Sequence, residues 1–354
     1  MAVSTAMIFG LVSLMFLDTS INMAMQPFKM MVGDMVNEKQ KGLAYSIQSF
    51  LCNAGSLVGF LFPFIFTWIG ISNIAPQGVV PDSVIYSFYI GAAILILCVI
   101  YTTVKVKEMP PAEYAEYHGI TEEEEKEKIN MVKLLIKAPK AFWTVGLVQF
   151  FCWFAFMFMW TYTNGSVAAN VFDAPTVETA VNGVSKVMLD TKSIQYQDAA
   201  DWVGVLFAVQ AIGSVLWAVC IPLFKDRKLI YSLSLVLGGL GFISTYFVHN
   251  QYVLFISFLL IGCAWAAMLA LPFTILTNAL SGGHMGTYLG LFNGTICIPQ
   301  IVAASLGGSI LALFTPKGML PPEINMLVMA GVMLIIGAVC VYLIKETKGE
   351  QTKA

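Results

Sequence analysis

Charge is what this chain has least of. Only 11% of its 354 residues are Asp, Glu, Lys or Arg, and Arg227 is the single arginine, whereas about a quarter of the residues in soluble domains are charged. Together with 58% hydrophobic residues, that scarcity excludes a soluble globule. A net charge of -2 with no basic face removes nucleic acid as a partner. The three histidines, His118, His249 and His284, stand far apart and form no metal spacing. The seven cysteines are odd in number, lack C-x-x-C spacing and all fall inside apolar runs, so they read as small packing residues and not as disulfides or zinc ligands. No G-x-G-x-x-G and no G-x-x-x-x-G-K-[ST] occurs, so no nucleotide-driven motor is visible. No cofactor and no required protein partner is implied.

What is present is a series of apolar runs of roughly bilayer-spanning length. Nine candidate helices are expected at roughly 3–27, 43–69, 84–104, 141–163, 202–224, 229–248, 252–277, 287–314 and 325–344. The chain is therefore expected to be an all-α integral membrane protein whose surroundings are the lipid bilayer. Sixteen of its nineteen Lys and Arg residues fall after the first, third, fifth and ninth runs, leaving Lys186, Lys192 and Lys317 for the opposite side. Positive charge marks the cytoplasmic face, which puts the C-terminus inside and the N-terminus outside.

A charged, helix-prone segment with Glu122 to Glu125 separates three runs from six. Carriers made of two six-helix halves place such a loop at their centre. Removing three helices from that plan gives nine spans, an outside start, an inside end and a loop after the third span. The expected organisation is a partial N-terminal half over 1–105, a central cytoplasmic loop over 106–140, a six-helix half over 141–345 and a tail over 346–354. A polar, loop-like extracytoplasmic insertion is expected at 165–200. On this reading the chain corresponds to helices 4 to 12, through a misplaced start or a real truncation.

A carboxylate at membrane depth costs about 2.5 to 3.5 kcal/mol or more, so it is a functional candidate by default. Asp18 is the one acid within the spans, with no intramembrane Lys or Arg to oppose it. It is therefore the candidate proton-coupling residue; pairing with a cation elsewhere, or hydration near the surface, is the alternative. Asp18, Asn22, Gln26 and Lys29 share one helical face, as do Ser46, Ser49, Asn53 and Ser56 on the second run. Gly55-x-x-x-Gly59 adds a close-packing motif to that run, and Gly238-Gly239-x-Gly241 suggests the same on the sixth. Further polar or aromatic faces carry Gln149, Trp153, Phe156 and Trp160; Gln210, Ser214 and Trp217; and Asn293, Cys297 and Gln300. Amides bond hydroxyls and indole rings stack on sugar C–H faces, so the set suits a sugar. Amides also serve as interhelical glue and tryptophans as interface anchors, which is the plainer reading of any one residue.

The stretch Leu17-Asp18-Thr19-Ser20-Ile21-Asn22, continuing through Gln26-Pro27-Phe28-Lys29 to Gly33-Asp34, resembles the fourth helix and following loop of the sucrose/proton symporters. Gly286 to Asn293 followed by Ile298-Pro299-Gln300 is similar to that family's eleventh helix, and Trp153 to Trp160 to its seventh. The family comprises plant sucrose transporters and their animal and bacterial disaccharide-carrying relatives. It belongs to the glycoside-pentoside-hexuronide:cation branch of the major facilitator superfamily. The resemblance implies an alternating-access carrier, with that superfamily's fold, importing sucrose or an alpha-glucoside such as maltose with a proton.

Asp18 would be the protonatable site, and Asn22, Gln26, Asn53, Gln149, Trp153, Trp160, Gln210, Asn293 and Gln300 the substrate-facing set. Lys29 and Asp34 would form a cytoplasmic gating charge pair, although the family usually has Arg at the Lys29 position and Lys lacks its bidentate fork. A bacterial cytoplasmic membrane is the implied location. Sodium coupling is the alternative ion choice, but melibiose-type relatives use more than one carboxylate and the residue four after Asp18 is Asn22. An efflux carrier of the same superfamily and a non-transporting truncated product also stay open. An enzyme is not expected, for want of an intramembrane His or a second acid.

Overall fold

In the computed structural model, residues 5–71, 80, 82–108, 110, 113, 131–181, 184–280, 285–316 and 318–344 are described. The long helices are α1 (Thr5–Met35), α2 (Glu38–Trp68), α3 (Asp82–Lys105), α5 (Lys140–Asn170), α6 (Ile194–Cys220), α7 (Arg227–Ser244), α8 (Leu254–Ala279), α10 (Gly294–Phe314) and α11 (Ile324–Cys340). Two short helices, α4 (Met131–Ile136) and α9 (Met285–Phe292), precede α5 and α10. Among the described residues eight stretches are long and apolar enough to cross a membrane, α9 and α10 counting as one. The remaining expected span is the 31-residue α2. Most of the central charged segment, with Glu122 to Glu125, and the tail from Lys345 onward lie outside the described residues.

Local chemistry sets several of the boundaries. Asn37 accepts from the Lys39 N–H at the start of α2, Ser193 from the Tyr196 N–H at α6, and Asp226 from the Lys228 and Leu229 N–H groups at α7. Each satisfies a donor that a helix start leaves open. The expected single span at 287–314 is interrupted at Asn293-Gly294, where a weak helix former follows the amide.

Residues 165–200 differ from the expected loop. They hold the end of α5, strands β1 (Thr176–Val181) and β2 (Val184–Leu189), and the first turns of α6. The strands pair antiparallel from Thr176 with Leu189 to Val181 with Val184. Valines and threonines favour that geometry, and the sequence joining the strands is Asn182-Gly183, the dipeptide most typical of a tight hairpin.

The core gathers around α8, which packs on α2, α5, α6 and α7, while α11 packs on α5 and α7 and α10 on α5. Close backbone approach makes this arrangement feasible. A methyl group on Gly262 of α8 would overlap the Gln210 carbonyl oxygen of α6, and one on Gly213 would meet the Leu259 backbone. The close packing expected of the sixth run also holds: a Cβ on Gly238 would strike Ala264, and one on Gly241 would lie 2.6 Å from the Ser257 carbonyl oxygen. The Gly55-x-x-x-Gly59 motif does not behave this way. Among the described residues nothing lies within 4 Å of a methyl at either position, because α2 meets α6 and α8 through its other face, with Ser49 and Asn53 buried.

The contrast gives a direct prediction. Gly262→Val should destabilise the protein by about 3 kcal/mol, because the opposing atoms are backbone and cannot retreat, whereas Gly55→Ala should leave it unchanged or slightly more stable. Thermal unfolding of the two variants in detergent checks this; equal losses would contradict the packing.

Candidate functional site

The site is built on a proline in α8. Pro272 has no N–H to offer the carbonyl four residues earlier, which belongs to Met268. Gln149 of α5, fully buried, supplies the missing donor: its Nε2 donates to the Met268 oxygen at 3.2 Å. From α2, Ser49 Oγ donates to the Ala266 oxygen at 3.2 Å. From α6, Ser214 Oγ donates to the Gly262 oxygen at 2.8 Å. Three neighbouring helices therefore hydrogen-bond to the backbone of α8 within two turns.

These bonds orient the amides. With Nε2 committed to Met268, Gln149 presents Oε1, which has no partner although buried. Asn53 is built likewise: Nδ2 donates to the Ser49 carbonyl at 2.7 Å and Oδ1 is left over. Asn293, at the head of α10, directs Nδ2 to the Cys297 sulfur at 3.9 Å and leaves Oδ1 without a partner. Trp153 Nε1 and Gln48 Nε2 are buried donors in the same condition. Among the described residues nine buried side-chain polar atoms lack a partner, and these five lie on α2, on α5 and at the head of α10. Such atoms are rare in folded proteins because each forfeits its desolvation energy, which makes these five candidates for contact with a polar ligand.

Aromatic rings stand beside them. Trp265 of α8 lies 5.7 Å from Trp153 and 5.7 Å from Trp160, edge-on to both, and 4.8 Å from Phe156. Trp160 remains 43% exposed, so the cluster has an open side. Gln48 was missed in the sequence because it lies off the face of Ser46, Ser49, Asn53 and Ser56, and Trp265 because it stands among apolar residues; its position shows only once α5 and α8 are brought together.

The other expected residues divide. Asp18 is exposed on α1 and close enough to Cys297 of α10 to interact electrostatically. Asn22 bonds its own helix, donating to the Asp18 carbonyl at 2.9 Å. Gln210 is buried, and its backbone carbonyl is what Gly262 of α8 packs against; Trp217 Nε1 bonds Ser234 Oγ at 2.8 Å, which reads as glue between helices. Gln300 is half-buried on α10. The side chain of Gln26 lies outside the described residues. Lys29 and Asp34 are not brought together as a pair: the Lys29 ammonium sits 4.1 Å from the centre of the Phe273 ring of α8, and Asp34 interacts with Tyr45. Five residues apart on a helix, the two point away from each other. The cation instead joins α1 to α8, beside the bond from Tyr45 Oη to the Lys29 carbonyl at 3.2 Å.

A bundle of long apolar helices of this kind defines a multi-pass membrane protein. The family model described as Major Facilitator Superfamily matches residues 1–189 and 167–354. The chain belongs to that superfamily; it is a secondary transporter and not an enzyme. A comparison with curated proteins gives no match. Among solved structures it is similar to the E. coli fucose:proton symporter, with a TM-score of 0.56 and 14% identity over 88% of this chain and 71% of that one. At that identity the likeness is one of fold.

Because Gln149 repairs the gap left by Pro272, their substitutions should not add. Gln149→Leu should cost about 1 to 3 kcal/mol with Pro272 present, leaving the Met268 carbonyl orphaned. It should cost much less in a Pro272→Ala background, where the new backbone N–H restores the helix bond. A double-mutant cycle by thermal unfolding measures the coupling; additive losses would show that the bond carries no such role.

Proposed function

We propose that this transporter imports a disaccharide, sucrose or an alpha-glucoside such as maltose, together with a proton by alternating access. The observation that carries the reading is the set of amide oxygens on Gln149, Asn53 and Asn293 left free by their own Nε2 or Nδ2 bonds. A sugar hydroxyl both donates and accepts, so it can satisfy these oxygens and, in turn, accept from Trp153 Nε1 and Gln48 Nε2. The Trp153, Trp160 and Trp265 group supplies ring faces for the C–H side of a sugar. An apolar drug or lipid would leave the amides unpaired, which disfavours an efflux reading.

Asp18 is the proton carrier in this scheme. It is the acid at membrane depth in the sequence, and its electrostatic contact with Cys297 directs it toward the helix that bears Asn293. Proton-coupled sugar transport by the fold neighbour, as its name states, supports the same chemistry. The two states would differ at the seam between α1–α2 and α8–α10. There Lys29 on Phe273, and Met30 against Gly286, close the end bearing the lysine-rich loops, which we assign to the cytoplasm of a bacterial inner membrane, with the C-terminus inside.

The test is external pH recorded as sucrose or maltose is added to de-energised cells making the protein. Alkalinisation is expected, and its loss in Asp18→Asn; a flat trace with both sugars, despite confirmed insertion, would overturn the substrate class. Trp265→Ala should weaken half-saturation by about tenfold or more while Trp265→Tyr keeps most of the affinity, since a stacked ring contributes on the order of 1 kcal/mol or more. Uptake kinetics of the two variants would contradict the stacking role if they were indistinguishable.

A further inference from the structure

Glu323 is a half-buried acid that the transport scheme leaves unused. It immediately precedes α11, where an acidic side chain would ordinarily bond the open N–H groups and meet the positive end of the helix. Its side chain makes no such cap. The carboxyl instead lies in a notch on α5: a methyl group on Gly165 would overlap both its oxygens and Cδ. Tyr162, one turn earlier on α5, interacts with it electrostatically, and the Tyr162 hydroxyl lies against Gly307 of α10. The acid thus meets α5 at Gly165, and α10 joins through Gly307 against Tyr162.

Tyr162 is the titratable group facing it from α5. Gly307 is what α10 brings to the Tyr162 hydroxyl, and α11 begins with Ile324; among the described residues no Lys, Arg or His pairs with it. Glu323 lies just outside the membrane-spanning stretch Ile324–Leu343. Burial pushes its carboxyl from 4.5 up to about 7, so desolvation outweighs the helix end. On α10, Gly307 is ten residues from Cys297, the neighbour of Asp18, or about 15 Å along the helix.

We propose that Glu323 is a second proton-binding side chain of this transporter, seated at the junction of α5 and α11, whose neutral form packs in the Gly165 notch and whose charged form leaves it. The end of the bundle away from Lys29 then tightens on protonation and loosens on ionisation, independently of Asp18.

The folded carboxyl holds its proton more tightly than the unfolded one, so its stabilising effect is complete below about pH 4.5 and is lost as pH rises through about 7. Glu323→Gln is neutral throughout and should escape that loss. The test is thermal unfolding of the purified full chain in detergent from about pH 5 to about pH 9. The Tm difference between the Gln variant and the parent should widen progressively from about pH 5 and level off near pH 7. Gly165→Ala, which forces the carboxyl toward water, should move the parent's transition to more acid pH. Infrared difference spectra between the same pH limits provide a second reading: a carboxyl band lost in Glu323→Gln supports the site. Parallel Tm profiles, an unmoved levelling-off pH in Gly165→Ala, or a band that persists in Glu323→Gln would overturn it. No sugar enters the measurement, so its failure and that of the disaccharide reading are distinguishable.

Discussion

The backbone of α8 is the constraint on which the rest depends. In a membrane each helix satisfies its own N–H and C=O groups, and association between helices comes from close packing and a few polar bonds. Here glycines on α6, α7 and α8 bring backbones into contact, and α8 sits among four neighbours because Gly262, Gly213, Gly238 and Gly241 leave room. A proline then breaks the self-sufficiency of α8 at Met268, and Gln149 from α5 completes it. One local defect fixes the orientation of an amide whose oxygen stays buried without a partner. Packing and hydrogen bonding are linked through that carbonyl, and in the proposed function ligand recognition is linked to them.

The fold was legible because its signals are long-range in sequence and one-dimensional. Runs of apolar residues mark every long helix, and scarce charge leaves the membrane as the setting. Short features were harder to read. The β1–β2 hairpin sits in a segment read as loop, since the polar composition hid an alternation of valine and threonine around Asn182-Gly183. Gly55 and Gly59 fit the spacing of a packing motif, yet spacing does not say which face of α2 meets a neighbour.

The site was legible in part for a similar reason. Periodicity identified Asn53, Gln149, Trp153 and Asn293 as polar or aromatic residues on shared faces, but it did not distinguish an amide that holds two helices together from one with an oxygen to spare. Trp217 bonds Ser234 between helices, and Gln149 does both at once. Trp265, alone on an apolar stretch of α8, acquires meaning from Trp153 and Trp160 across the helix boundary. The Lys29–Asp34 pairing failed on helical geometry: five residues turn the two side chains apart, and the cation finds an aromatic ring on α8 instead.

The account's central claim is that Gln149 serves structure through its nitrogen and ligand through its oxygen. The most direct test is equilibrium binding of radiolabelled sucrose and maltose to purified Pro272→Ala protein and to the Gln149→Leu, Pro272→Ala double variant, in which the structural need for the amide has been removed. The account predicts saturable binding by the first of one or both sugars and a loss of about tenfold or more in affinity by the second, with both equally stable. Equal affinity in the two proteins, or no binding of either sugar by the folded first variant, would contradict it.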